Sequence, residues 1–226
     1  MAEKAATATT EARVSTRGTE TRQQLIDAAI ETLKDRGFAG ASARVIADRA
    51  GVNQGLIFYH FESVVGLLLA ALDAVSATRL ARYGEAVSEV TSSTELVGVA
   101  SSIFREDLDA GHVAVLVAMI AGASSTPGLG EEVARRIVPW IGFARDAITG
   151  VLDDSSLSSI VPPDELAFAI AALYLGMEML TQLDGDRSRA DALFARADMV
   201  AGLFANFGGG GGLVASASGV ASEVRP

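Results

Sequence analysis

From Thr21 to Arg36, Leu25, Ala28, Ala29, Thr32 and Leu33 recur at intervals that place them on one helical face, with Ile26 and Ile30 on its flank. The pattern predicts an amphipathic helix stopped at Gly37, with Phe38 placed to fold back onto Leu33. Ser42 to Phe61, SARVIADRAGVNQGLIFYHF, holds two shorter apolar patterns separated by a glycine turn. Val45, Ile46 and Ala50 share a face in the first, with Ser42 as its N-cap and Gly51 as its stop. In the second, Asn53 caps a helix from Gln54 to His60 whose Leu56 and Ile57, with Phe61, point inward. Two helices this short, joined by so tight a turn, predict a helix-turn-helix whose second helix enters a DNA major groove.

The later pattern is helical throughout. Ser63 opens a helix to about Tyr83, with Val64, Leu67, Leu68, Ala71, Leu72 and Val75 inward. Further helices are expected at Glu95–Leu108, His112–Ala123, Glu131–Leu152, Asp164–Leu183 and Ser188–Phe207. No strand alternation interrupts them, so the fold class is all-α with about nine helices. Pro139 falls inside one helix and should kink it beside Trp140 and Phe143, either as a bent core helix or as the wall of a ligand pocket. The last two helices are apolar around most of their circumference and rich in small residues. Their burial requires either a complete cover within one monomer or, more economically, a second copy of the chain.

Composition adds limits. The chain has 226 residues, half of them hydrophobic, no cysteine and a net charge of -10. Residues 1–62 hold eight basic and eight acidic side chains, so the remainder carries the whole deficit. An acidic body keeps non-specific attraction to DNA low and leaves phosphate contacts to a few placed arginines. Two histidines far apart, no cysteine, no nucleophile elbow and no metal-ligand spacing argue against an enzyme, and no cofactor is expected. The first twenty residues lack the apolar core of a signal peptide, and the apolar part of the longest uncharged run, Val113 to Ala123, is short for a membrane span. The expectation is a cytoplasmic protein. Residues 1–18 read as a disordered tail, or as a basic arm carrying Arg13 and Arg17. Residues 208–226, opening on five glycines, read as a second disordered tail.

Ile46-Ala47, Ala50-Gly51-Val52, Gly55 and the ending Phe58-Tyr59-His60-Phe61 together resemble the TetR (tetracycline-repressor) family of transcriptional regulators. The resemblance runs from about Thr21 to Leu72. It implies a DNA-binding domain over residues 19–65 and an effector-binding and dimerisation domain over 66–207. It further implies a homodimeric repressor on palindromic double-stranded operator DNA, released by a small hydrophobic effector. Arg44, Asn53, Gln54, Gly55, Leu56, Phe58, Tyr59 and His60 fall at operator-contacting positions, with Thr21 and Arg22 near phosphate at the start of the first helix. Gln54 suits an adenine edge, whereas Tyr59 and His60 suit phosphate and sugar. His60 can equally be a histidine packed and satisfied at the domain interface. Phe104, His112, Met119, Trp140 and Phe143 are candidates to line an effector pocket. Ala169, Ala172, Leu173, Gly176, Leu180, Met199 and Gly202 are candidates for the dimer interface. Two departures from the family pattern, Phe58 for a usual tyrosine and Val64 for a frequent lysine, predict a shallow salt dependence. They also favour the alternative of a helical adaptor that no longer binds DNA.

Overall fold

The computed structural model describes the backbone over residues 2–152 and 162–208, and side chains over 17–151 and 162–203. Among the described residues there are nine helices and no strand. They are α1 (Ala2–Gly40), α2 (Ala43–Ala50), α3 (Gly55–Phe61), α4 (Val64–Val87), α5 (Ser93–Ala110), α6 (His112–Ala123), α7 (Leu129–Leu152), α8 (Pro163–Asp184) and α9 (Ser188–Gly208). The hydrophobic periodicity therefore located every element, and every boundary but one to within about four residues.

One boundary differs substantially. Helix α1 begins at Ala2 rather than near Thr21, so residues 2–18 continue the helix instead of forming a tail. Ala2, Ala5, Ala6, Ala8 and Ala12, with no glycine before Gly18 and no proline, make that stretch a good helix former despite its lack of an apolar face. The expected stop at Gly37 is present as a break: Gly37 has φ 64° and ψ −173° inside α1. The Gly208–Gly212 run lies outside the described residues beyond Gly208 itself.

The chain divides into two compact units, one of residues 1–84 and 106–140, the other of 85–105 and 141–226. One border falls between Trp140 and Ile141, one residue past Pro139, which α7 carries in its interior. In the first unit α1 packs on α2 and α6. Leu25, Ala29, Leu33, Ile46, Ile57, Leu67, Leu68, Ala71, Val115, Met119, Leu129 and Val133 form its core, and Thr32 donates to the Ala28 carbonyl at 2.6 Å. In the second unit the Phe104 ring meets Tyr174 at 5.5 Å and Phe194 at 5.3 Å, both edge-on. Arg105 of α5 bonds Asp191 of α9 through two nitrogens at 3.0 and 3.1 Å.

Candidate nucleic-acid interface

Helix α2 starts where the Ser42 hydroxyl accepts from the Val45 amide at 3.4 Å, and stops at Gly51, left-handed at φ 68°. The Gly51 amide reaches the Ala47 and Asp48 carbonyls and the Val52 amide reaches Ala47 at 3.1 Å, closing the turn without a side chain. Asn53 then accepts from the Gly55 amide through Oδ1 at 2.7 Å, the capping expected of it at the start of α3. Ser63 repeats the device at the start of α4, accepting from Gly66 at 2.9 Å.

These caps hold α3 with two opposed faces. Ile57 and Phe61 are buried in the first unit's core, whereas Gln54, Gly55, Phe58 and Tyr59 face outward, Tyr59 being 80% exposed. Leu56 and His60 are half-buried at the edges. Tyr59, His60 and Phe61 stand edge-on in series, with ring centroids 4.9 and 6.2 Å apart. The Arg22 guanidinium lies over Phe61, 5.0 Å from its centroid, which fixes a cation beside the end of α3. Arg44 is exposed on α2. Tyr59 and Phe58, 47% exposed, stand side by side on the outward face of this seven-residue helix.

Thr21 and Arg22 stand elsewhere than their sequence expectation placed them. Because α1 begins at Ala2, neither residue stands at a helix start, and no amide ends are presented to phosphate there. The Thr21 hydroxyl instead donates to the Arg17 carbonyl at 3.0 Å. Arg22 keeps its own charge, held by the Phe61 ring. Within the head Arg49 pairs with Asp35 at 2.5 Å and Lys34 with Glu31 at 2.9 Å. Among the described residues Arg17, Arg22, Arg36 and Arg44 enter no ion pair. Glu20, Asp27, Asp48 and Glu62 likewise enter none, so the described head stays near neutral.

The other predicted residues are placed as follows. Of the pocket candidates, Phe104 and Phe143 belong to the second unit and His112, Met119 and Trp140 to the first. Met119 is fully buried core, and Phe104 is 2% exposed within its ring cluster. Of the dimer candidates, Ala169, Ala172, Leu173, Leu180 and Met199 are exposed and Gly176 and Gly202 half-buried. With Phe168, Leu183, Val200 and Leu203 they leave α8 and α9 an uncovered apolar face, while Ala167, Glu178 and Thr181 are buried on the opposite side of α8. Sequence reading missed Arg79, Tyr83 and Asp107, a buried polar set in the first unit. The signal was present: Arg79 and Tyr83 continue the inward positions Leu68, Leu72 and Val75 at helical spacing.

This arrangement is that of a helix-turn-helix regulator, and comparison with known proteins agrees. Residues 25–71 match the model of the bacterial regulatory proteins of the tetR family. An uncharacterized HTH-type transcriptional regulator of Mycobacterium tuberculosis is 34% identical over 129 residues, 57% of this chain and 66% of that protein, so the alignment spans just under two thirds of the relative. A member of the TetR family from Streptomyces coelicolor has the same fold at TM-score 0.58 and 27% identity, covering 79% of this chain and 98% of that one. The Bacillus subtilis regulator FadR, in complex with stearoyl-CoA, matches at TM-score 0.67 and 17% identity, covering 79% and 96%. Residues 25–71 carry the tetR-family match, and the relatives and solved structures support a TetR-family transcriptional regulator.

Proposed function

We propose that this protein is a cytoplasmic homodimeric repressor that reads a palindromic operator with α3 and releases it on binding a small hydrophobic effector. The observation that carries the reading is the outward face of α3, where Gln54, Gly55, Phe58 and Tyr59 stand exposed on a helix anchored by Ile57 and Phe61. Gln54 supplies a donor and an acceptor for an adenine edge, and Arg44 reaches a guanine or a phosphate. Tyr59, His60 and Arg22 position the head on the backbone without reading sequence. Asn53 holds the first turn, and Leu56 and Phe58 offer apolar contact to sugars and thymine methyls. Phe58 brings no hydroxyl and Val64 no charge, so phosphate attraction is modest and specificity depends on paired heads.

In mobility-shift titrations on operator and scrambled DNA, Gln54→Ala is expected to lose about 1–3 kcal/mol of discrimination at one base pair. Tyr59→Phe should weaken both DNAs by a similar factor. Unchanged discrimination by Gln54→Ala would remove this residue from base readout.

The second copy is argued from α8 and α9. Helix α8 is long and apolar enough to cross a membrane by length and composition, yet its other face buries Glu178 and Thr181 against its own unit. Its outward stripe, Ala169, Ala172, Leu173, Gly176, Leu180, fits another protein helix, with small residues allowing close approach. Leu180 is 64% exposed. Leu180→Lys is therefore expected to cost about 1.5–3 kcal/mol of association, a tenfold to hundredfold rise in the dimer dissociation constant by analytical ultracentrifugation. A variant that dimerises as tightly as wild type would move the interface elsewhere.

For the effector, the Phe104–Tyr174–Phe194 cluster supplies an apolar aromatic wall in the second unit, to which Phe143 belongs. His112 and Trp140 remain candidates in the first unit. The FadR relative in complex with stearoyl-CoA supports a hydrophobic ligand as the kind of molecule such a fold accepts.

A further inference from the structure

One buried polar cluster takes no part in the reading face. Asp107 of α5, 1% exposed, accepts from Arg79 Nε of α4 at 3.1 Å, from Arg79 Nη2 and from the Tyr83 hydroxyl. His112 Nδ1, at the start of α6, lies 3.3 Å from the same Asp107 Oδ1. The Arg79 guanidinium lies over the Trp140 ring of α7 at 4.7 Å and over Tyr83 at 5.6 Å. Residues of three helices thus meet on one carboxylate, with Trp140 of α7 against the guanidinium. Burial alone would raise the Asp107 pKa. The hydrogen bond from His112, the charge and hydrogen bonds of Arg79 and the bond from Tyr83 outweigh it and hold the carboxyl below its ordinary value.

Such a cluster is an expensive way to fill a core, because apolar side chains of similar volume would avoid the desolvation of two charges. What it supplies is direction: the guanidinium fork bonds the carboxylate through two nitrogens and fixes both helices in register. The fork joins α4 to α5, and His112 ties the start of α6 to the same carboxylate. Helix α4 starts directly after α3, and at Gly66 an added Cβ would meet the Phe61 carbonyl at 2.4 Å, so the two helix ends touch. Helix α6 carries Gly122 at its far end, against the Phe38 ring of α1. Its 12 residues span roughly 18 Å between cluster and head.

We propose that Arg79 and Asp107 are positioning residues for operator binding, a latch that holds α4 against α5 and, through His112, the start of α6, and so fixes the far ends of α4 and α6 that touch α3 and α1. This rests on the DNA-binding reading above. The Arg82–Glu106 pair bridges α4 and α5 beside the latch.

The test is operator affinity by fluorescence anisotropy for the wild-type protein and two variants, with melting temperature measured alongside. Arg79→Lys keeps the charge and removes the fork, and Arg79→Met with Asp107→Leu removes both charges without stranding either. Each is expected to bind about tenfold more weakly than wild type while melting within a few degrees of it, a change within the range that mutations along coupling networks produce. Affinities equal to wild type in the folded Arg79 variants overturn the latch and leave the DNA-binding reading standing. A wild type that binds no operator overturns both.

Discussion

Asp107→Ala is expected to lower the stability of the fold by about 3–5 kcal/mol, because it leaves the Arg79 guanidinium buried without its carboxylate. Arg79 and Asp107 have side chains only 10% and 2% exposed, so water cannot replace the lost partner. Tyr83 would lose an acceptor as well, in a site where burial already pushes its hydroxyl pKa up. Urea denaturation of the single variant, set beside Arg79→Met with Asp107→Leu, separates charge stranding from packing. The double variant should recover most of the loss. A single variant within about 1 kcal/mol of wild type would show that the pair contributes no more than a surface ion pair. The pH dependence has a definite sign. Asp107 is depressed in the folded state, so its contribution is complete above the ordinary carboxylate range and disappears as pH falls through the folded value. Wild type should therefore lose stability in acid more steeply than the double variant.

Gly122→Val is expected to cost about 3 kcal/mol, the upper end of what overpacking a core produces. A Cβ at Gly122 would lie 2.4 Å from Phe38 Cγ and 2.5 Å from both Cδ atoms, closer than any side chain tolerates. The clash is with the root of an aromatic ring that packs against the first unit's core, so the ring cannot swing away cheaply. The gain in helix propensity over glycine is at most a few tenths of a kcal/mol and does not offset this. In a Phe38→Ala background the same substitution should be nearly neutral, and that coupling is the diagnostic. Equal costs in both backgrounds would mean that Gly122 does not seat Phe38.

These residues also show where sequence reasoning stops. Periodicity placed the helices because burial of one face repeats every three or four positions, and Leu25, Ala29 and Leu33 or Leu68, Leu72 and Val75 write that repeat directly. Capping was legible for the same reason: Ser42, Asn53 and Ser63 each act on an amide two or three residues away. The Arg79–Asp107 pair was not legible, since 28 residues separate partners brought together by tertiary packing. The Phe38–Gly122 contact joins the ends of α1 and α6, and local pattern directed attention to Leu33 instead. Residues 2–18 failed differently, because good helix formers without an apolar face give no periodic signal. Glu62, at φ 63° between α3 and α4, has a left-handed backbone that no sequence rule assigns to glutamate. At the candidate interface, the exposure of Tyr59 and the capping of α3 by Asn53 followed from local rules, whereas Arg22 over Phe61 needed the folded head.

The central claim is that α3, presented in pairs, reads DNA. A mobility-shift titration of the full-length protein against DNA upstream of its own gene, with unrelated competitor in excess, tests it most directly. A single retarded band that survives the competitor and saturates at two chains per site is the expected result, with the Gln54→Ala variant losing the preference. Folded, dimeric protein that retards none of that DNA even at low salt would contradict the account.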